Sequence, residues 1–219
     1  AVHQPGANTD REVRSAGIMS AAVATSRVTG LVREIVLARL FGASMDFDAF
    51  RLGFQLPNLT RDLFAEGALS SAFVPLFTEY LTNRGKEEAQ RLASLVMTAI
   101  LIGIGALCLL GVALAPQLVD LFASGFALVP GKPELSIELT RIMFPFLLLV
   151  ALAAQSMGIL NACNLFGVPA LASTMFNIGS VVFGLMLGFV LGPSLGLSKI
   201  HGMAYGVVLG GALQYFWQL

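Results

Sequence analysis

The sequence predicts an all-α, polytopic membrane helix bundle. Apolar residues make up 56% of the 219 residues and charged residues only 12%, whereas a typical soluble domain contains about 25% charged residues. Several segments approach the ~20 apolar residues that a helix needs to cross a bilayer. The sequence contains none of the alternating ~10-residue segments that are typical of a membrane β-barrel.

Six membrane-spanning helices are expected, after a polar segment 1–14 that we predict to be a cytoplasmic tail. The spans cover about 15–40, 47–82, 91–115, 136–160, 168–192 and 201–219. The first begins at Ser15 and ends at the turn-like residues 41–44. The second is too long for one straight crossing at 1.5 Å per residue, so we expect it to bend at Pro57 and Pro75 or to project into water.

Polar loops and prolines separate the remaining spans. The charged residues 83–88 form a short loop, and the third span ends at Pro116. A longer connection, 117–135, precedes the fourth span, which contains Pro145. The fifth span follows, and the sixth begins near His201. Lysine and arginine are more frequent in the tail and in the loop 83–91 than on the opposite side, which predicts a cytoplasmic amino terminus.

Glycines recur at four-residue spacing near the end of the chain. The spacing runs through Gly188, Gly192 and Gly196, and then through Gly202, Gly206 and Gly210. Small residues at this spacing allow two membrane helices to approach closely. We interpret these glycines as packing residues.

Charged residues within the first two spans are the feature most indicative of function. Eight of them lie where a membrane helix is usually apolar: Arg27, Arg33, Glu34, Asp48, Arg51, Arg61, Asp62 and Glu66. A charge near the bilayer centre costs about 2.5–3.5 kcal/mol on insertion scales. These residues therefore predict a polar, water-accessible interior.

The second span carries its polar residues on one face. At 100° per residue, an arc of about 80° contains Asp48, Arg51, Gln55, Asn58, Asp62 and Glu66. We place Leu52, Phe54, Leu56, Leu63 and Phe64 on the opposite face, while Arg61 lies off the arc. On the first span, Arg27 and Glu34 are two helical turns apart and share a face. Since lipid cannot solvate such a stripe, we expect it to line a cavity.

The residue types favour an anionic ligand. Arginine stays protonated and presents a planar fork to phosphate or carboxylate. A structural alternative remains open, in which the charges only neutralise one another, for example Arg51 with Asp48. The sequence contains two cysteines, two histidines and zero net charge, and no catalytic or metal-binding motif among them. We therefore expect no enzyme activity, no cofactor, no metal and no nucleic-acid partner.

Several motifs resemble the opening of the MurJ (MviN) family of lipid II flippases. They are residues 25–34 (TSRVTGLVRE), 41–43 (FGA), 48–50 (DAF), 56–61 (LPNLTR), 64–68 (FAEGA) and 72–75 (AFVP), with looser similarity at 144–145 and 159–161. The resemblance is dense over 25–80 and continues to the end of the chain. It implies a two-lobed exporter fold of the multidrug/oligosaccharidyl-lipid/polysaccharide superfamily. The segment 15–219 would form the amino-terminal lobe.

The resemblance also implies an activity and a set of site residues. The family moves the undecaprenyl-diphosphate-linked peptidoglycan precursor between leaflets of the bacterial cytoplasmic membrane by alternating access. Its cavity arginines correspond to Arg27, Arg33 and Arg61, and its early acidic residue corresponds to Asp48. Glu34 stands where aspartate is usual, and Asp62 where a second basic residue is common. A carboxy-terminal lobe is expected as a partner, because one lobe does not alternate by itself.

Two other functions remain open at this stage. The first is a polysaccharide-lipid flippase or a cation-coupled multidrug exporter of the same superfamily, although a cation exporter should favour carboxylates over arginines. The second is a non-transporting membrane module or an inert fragment, whose charges would all be paired internally. An open cavity lined by arginine would distinguish the transporters from the inert module.

Overall fold

The computed structural model describes residues 6–64 and 68–219, with side chains for 17, 20–59 and 72–219. Within these ranges every regular element is a helix. The helices are α1 (Gly6–Phe41), α2 (Met45–Phe64), α3 (Ala68–Asn83), α4 (Lys86–Ala113), α5 (Ala115–Ala123), α6 (Lys132–Met143), α7 (Phe146–Ala162), α8 (Gly167–Leu185), α9 (Gly192–Leu195) and α10 (Lys199–Phe216). A short 3₁₀ helix, Ser124–Leu128, follows α5, and a π-helical turn, Met186–Val190, extends α8. The predicted all-α class is confirmed.

The helix boundaries follow local chemistry more finely than the predicted spans. Helix α1 begins at Gly6, within the segment predicted as a tail, and ends where Gly42 adopts the left-handed conformation with φ of 56°, as is common after a helix. The predicted second span consists of α2 and α3, which contain Pro57 and Pro75; residues 65–67 between them are outside the described residues.

Prolines account for two further differences. The fourth predicted span is two helices, α6 and α7, which are separated at residues 144–145 because Pro145 has no N–H for the helical ladder. The predicted connection 117–135 contains most of α5, in whose first turn Pro116 lies. Proline is well tolerated there, since the first N–H groups of a helix have no intrahelical partner.

Within the described part of the chain, three helical segments are long and apolar enough to cross a membrane: Lys86–Ala113, Lys132–Ala162 and Gly167–Val190. Helix α4 exposes large apolar side chains on its outer face, including Leu109 at 73% and Ile102 at 69% of their full accessible surface. Such a face suits contact with lipid. The other predicted spans are helical but fall outside this group, and α1 and α2 instead carry charged residues.

The helices pack around a core in which α8 and α10 are in closest contact. Helix α1 lies along α8, α2 lies along α6, and α7 packs against α3, α4 and α10. The largest buried cluster includes Leu139, Met143 and Phe146 from α6 and α7 and Met203 from α10. This arrangement places α1, α2, α8 and α10 around one common space.

Glycine allows the contact between α8 and α10. A methyl group added at Gly206 would come within 2.5 Å of the Gly184 Cα atom and 2.6 Å of the Ser180 carbonyl oxygen. One added at Gly210 would come within 2.7 Å of the Ser180 nitrogen. Since these neighbours are backbone atoms, a side chain fits only if the helices separate.

We expect Gly206→Ala to lower the thermal unfolding temperature in detergent, because overpacking of a close contact costs about 1–3 kcal/mol. Gly103→Ala in α4 is the matched control, since no atom lies within 4 Å of the added methyl group. This control should be neutral or stabilising by up to about 1 kcal/mol. Equal unfolding temperatures for the two variants would contradict the assigned helix contact.

Candidate functional site

A cavity of about 380 Å³ lies between α1, α2, α8 and α10. Its lining combines two guanidinium groups and two amides with aromatic and aliphatic side chains. The lining residues are Arg33, Glu34, Leu37, Phe47, Phe50, Arg51, Phe54, Gln55, Asn58, Ser180, Met203 and Val207. The cavity therefore contains five of the residues predicted from the charge pattern: Arg33, Glu34, Arg51, Gln55 and Asn58.

Arg33 is the more enclosed of the two arginines. Its side chain is 15% exposed, and its Nη2 atom donates to Glu34 Oε1 at 2.9 Å. Glu34 itself is 54% exposed, so the pair gains little from burial, and exposed pairs contribute about 0–1 kcal/mol. The Nε atom of Arg33 is buried and has no hydrogen-bond partner. One donor of this charged group is therefore unsatisfied beside the cavity.

The polar residues of α2 follow the register predicted from the sequence. Arg51, Gln55 and Asn58 are spaced four and three residues apart, so they share one face of the helix. The Arg51 guanidinium lies 5.8 Å from the centre of the Phe47 ring, and it forms no ion pair with any carboxylate that the structure describes. Asn58 donates from Nδ2 to the Phe54 carbonyl at 3.0 Å, while its buried Oδ1 atom has no partner.

Phe54 lies on the cavity, which corrects the prediction that it belongs to the opposite face. It follows Arg51 by three residues, or about one helical turn, and therefore stands at the edge of the polar stripe. Leu52 and Leu56 do lie away from the cavity, where they pack with Val119 and Phe144 in a separate apolar cluster.

The other predicted site residues are not part of the described cavity lining. Arg27 is exposed on α1. Asp48 accepts a hydrogen bond from Lys132 Nζ at 2.7 Å, so its charge partner is Lys132 of α6 and not Arg51. Arg61 and Asp62 lie in α2 with side chains outside the described part of the chain, and Glu66 is outside it altogether.

Helix α6 forms two polar contacts at one end of the helix bundle. Besides the pair of Lys132 with Asp48, Glu138 Oε2 lies 3.1 Å from His201 Nε2. The Ser198 hydroxyl lies 2.6 Å from the other ring nitrogen of His201. These contacts connect α6 to α2 and to α10. A second hollow of about 600 Å³ lies at this end, and its lining includes Phe41, Asp46, Phe189 and Lys199 but no arginine or side-chain amide.

Helix α8 contributes residues that sequence reasoning missed. Ser180 lines the cavity, Phe176 lies beneath the Arg33 guanidinium, and Asn177 Nδ2 donates to the Ser26 carbonyl at 3.0 Å. Asn177 also lies 3.3 Å from Thr29 Oγ1. The sequence signal for these residues is a polar pair, Asn177 and Ser180, at helical spacing in a largely apolar span. Met203 and Val207, which also line the cavity, lie in an apolar helix and have no such polar pattern around them.

The fold and the cavity define a class: a polytopic helical membrane protein with a charged cavity between its helices. The family model of the lipid II flippase MurJ matches residues 37–219. The chain is 36% identical over 194 residues to the lipid II flippase MurJ of Burkholderia cenocepacia, which covers 89% of this chain and 37% of that protein. It is 38% identical over 213 residues to the probable lipid II flippase MurJ of Bdellovibrio bacteriovorus, covering 95% and 40%.

A solved structure of lipid II flippase MurJ in an inward closed conformation superposes with a TM-score of 0.71 at 32% identity, covering 90% of this chain and 40% of that one. The chain belongs to the lipid II flippase MurJ family, as the sequence motifs predicted. It spans about two fifths of the length of the relatives that it matches.

The Asp48–Lys132 contact allows a test of how α2 docks on α6. Replacing either residue alone, as Asp48→Asn or Lys132→Gln, should lower the thermal unfolding temperature slightly. The coupling between them should stay at or below about 1 kcal/mol, since Asp48 is half exposed. Asp48→Lys alone and Lys132→Asp alone should each lower the unfolding temperature further. The double exchange should recover most of the stability that these two single variants lose. A double exchange as unstable as the sum of its parts would contradict a direct ion pair.

Proposed function

We propose that this chain forms the amino-terminal lobe of a lipid II flippase and binds the diphosphate headgroup of the undecaprenyl-linked peptidoglycan precursor. The observation that carries the proposal is the placement of Arg33 and Arg51 on a single cavity within an apolar helix bundle. A guanidinium group forms paired, charge-assisted hydrogen bonds with phosphate oxygens. In surroundings of low dielectric such bonds are stronger than in water.

Different cavity residues would contact different parts of the headgroup. Arg33 and Arg51 would meet the phosphate oxygens, and Gln55 and Asn58 would form hydrogen bonds with polar groups next to them. Arg27 and Arg61, the other family-like arginines, would take part as the headgroup enters or leaves. Glu34, Asp48, Asp62 and Glu66 would hold arginines in place or respond to ions. The polyprenyl chain would lie along apolar grooves between helices.

Transport would require a second lobe. The relatives are more than twice as long as the matched segment, and alternating access needs two bodies that move against each other. We therefore propose a carboxy-terminal lobe as the partner, and the bacterial cytoplasmic membrane as the location, with the amino terminus on the cytoplasmic side. We propose movement of lipid from the inner to the outer leaflet without chemical change, hence no enzyme activity.

The charge of the cavity favours this cargo over the alternatives. A site for organic cations would be expected to contain more carboxylates than guanidinium groups, whereas two arginines and one glutamate line this cavity. An inert module would pair its charges internally, but the exposed Arg51 lacks an ion-pair partner among the described residues and the buried Nε atom of Arg33 has no acceptor.

The first test is binding to the chain in nanodiscs, with undecaprenyl diphosphate as probe and tetraphenylphosphonium as a cationic comparison. Arg33→Ala and Arg51→Ala should each weaken diphosphate binding by roughly tenfold or more, because a charged hydrogen bond contributes about 1.5–3 kcal/mol. Arg84→Ala is the matched control, since Arg84 stacks on Tyr80 outside the cavity. Tighter binding of the cation by the unaltered chain would refute the proposal.

The second test is complementation of a flippase-depleted strain. The chain would replace the matching residues of the Burkholderia cenocepacia relative, with growth of this chimera as the reference. Arg27→Ala, Arg33→Ala and Arg61→Ala, combined at normal expression, should abolish growth, since the headgroup would lose its positive partners. Normal growth of the triple variant would remove these arginines from the mechanism.

A further inference from the structure

Two phenylalanine rings hold the guanidinium group of Arg33. The Arg33 Cζ atom lies 5.1 Å from the centre of the Phe54 ring and 5.3 Å from that of Phe176. Both distances are within the range of about 6 Å over which a cation is attracted to the face of an aromatic ring. Arg33 belongs to α1, Phe54 to α2 and Phe176 to α8. The contact therefore joins the three helices that surround the charged part of the cavity.

The two rings form a regular platform. They are almost parallel, with an interplanar angle of 7° and centres 6.4 Å apart. Phe146 of α7 supports them, with its ring centre 5.0 Å from that of Phe176 and 5.8 Å from that of Phe54. Phe146 and Phe176 are both buried. Helices α7 and α8 also pack against other helices. The positions of these rings are therefore set by helix packing and not by the rotation of one side chain.

An arginine that binds an anion in a cavity must be held in place and must also keep hydrogen-bond donors free. A carboxylate that fully neutralised Arg33 would compete with an incoming phosphate, whereas an arginine without any partner would be poorly ordered. The aromatic faces attract the cation without occupying its hydrogen-bond donors. The half-exposed Glu34 takes one donor, at Nη2, and the buried Nε atom is left without an acceptor.

We propose that Phe54 and Phe176 are positioning residues that orient the Arg33 guanidinium toward the cavity and keep its donors available for an anionic headgroup. This inference rests on the proposed function. It assigns a role in recognition to aromatic residues that a simple packing interpretation would place only in the core. Separation of α8 from α1 or α2 would remove the platform, so the orientation of Arg33 depends on how these helices are packed.

Fluorination separates the electrostatic role from packing. Successive replacement of Phe176 by mono-, di- and trifluorophenylalanine reduces the negative potential of the ring face while nearly preserving its shape. The affinity of the chain in nanodiscs for undecaprenyl diphosphate should fall stepwise, by about tenfold over the series, as expected for loss of a cation–π contact. The same series at Phe77 is the matched control, because this buried ring packs on Phe73 outside the cavity and no cation lies over it among the described contacts, and it should change affinity less than twofold.

A measurement without ligand distinguishes failure of this inference from failure of the proposed function. In the chain labelled with ¹⁵N and ¹³C in arginine, the side-chain resonances of Arg33 should show a ring-current shift that Phe176→Leu reduces, since only Phe54 then remains, and that Phe176→Tyr retains. If the unaltered chain shows this shift but does not bind the diphosphate, the proposed function fails while the platform stands. If binding depends on Arg33 but neither fluorination nor Phe176→Leu affects the affinity or the shift, the positioning role is overturned.

Discussion

The backbone contact between α8 and α10 determines where the cavity of this helix bundle can lie. Gly206 lies against Gly184, and Gly210 lies against the backbone of Ser180, so the two helices approach more closely than side chains would allow. Helix α8 then brings Asn177 to the Ser26 carbonyl of α1, which fixes α1 along it. With α1, α8 and α10 held in this way and α2 packed on α6, the space between them is the cavity.

Charged side chains of the helix bundle have two kinds of surroundings. At one end, Lys132 pairs with Asp48 through opposite charges and Glu138 contacts the His201 ring, and each contact connects two helices. Inside the cavity, Arg33 contacts aromatic faces and one half-exposed carboxylate. The contacts at the end of the bundle hold helices together, because each polar group there has a partner on another helix. The second arrangement leaves hydrogen-bond donors free, as a binding site for an anion requires.

Sequence periodicity predicted which polar residues of α2 share a face and failed at the aromatic edge of that face. Arg51, Gln55 and Asn58 lie on one face of α2 as expected, because helical geometry alone decides which residues of one helix share a face. Phe54 is at the boundary between the polar and apolar faces, and its apolar character assigned it wrongly to the core side. Pro145 was recognised within the fourth span, but the division into α6 and α7 depended on how the neighbouring helices accommodate the interruption.

The sequence by itself determined the helical class, the apolar character of the bundle, the stripe on α2 and the family, since these depend on composition, on a period of 3.6 residues and on contiguous motifs. Only the tertiary structure decided which charges meet. Asp48 and Lys132 are 84 residues apart in the chain, and Arg33 and Phe176 belong to helices that the sequence does not connect. Such contacts arise from the way helices pack, and in a single sequence no local pattern records which distant side chains the packing brings together.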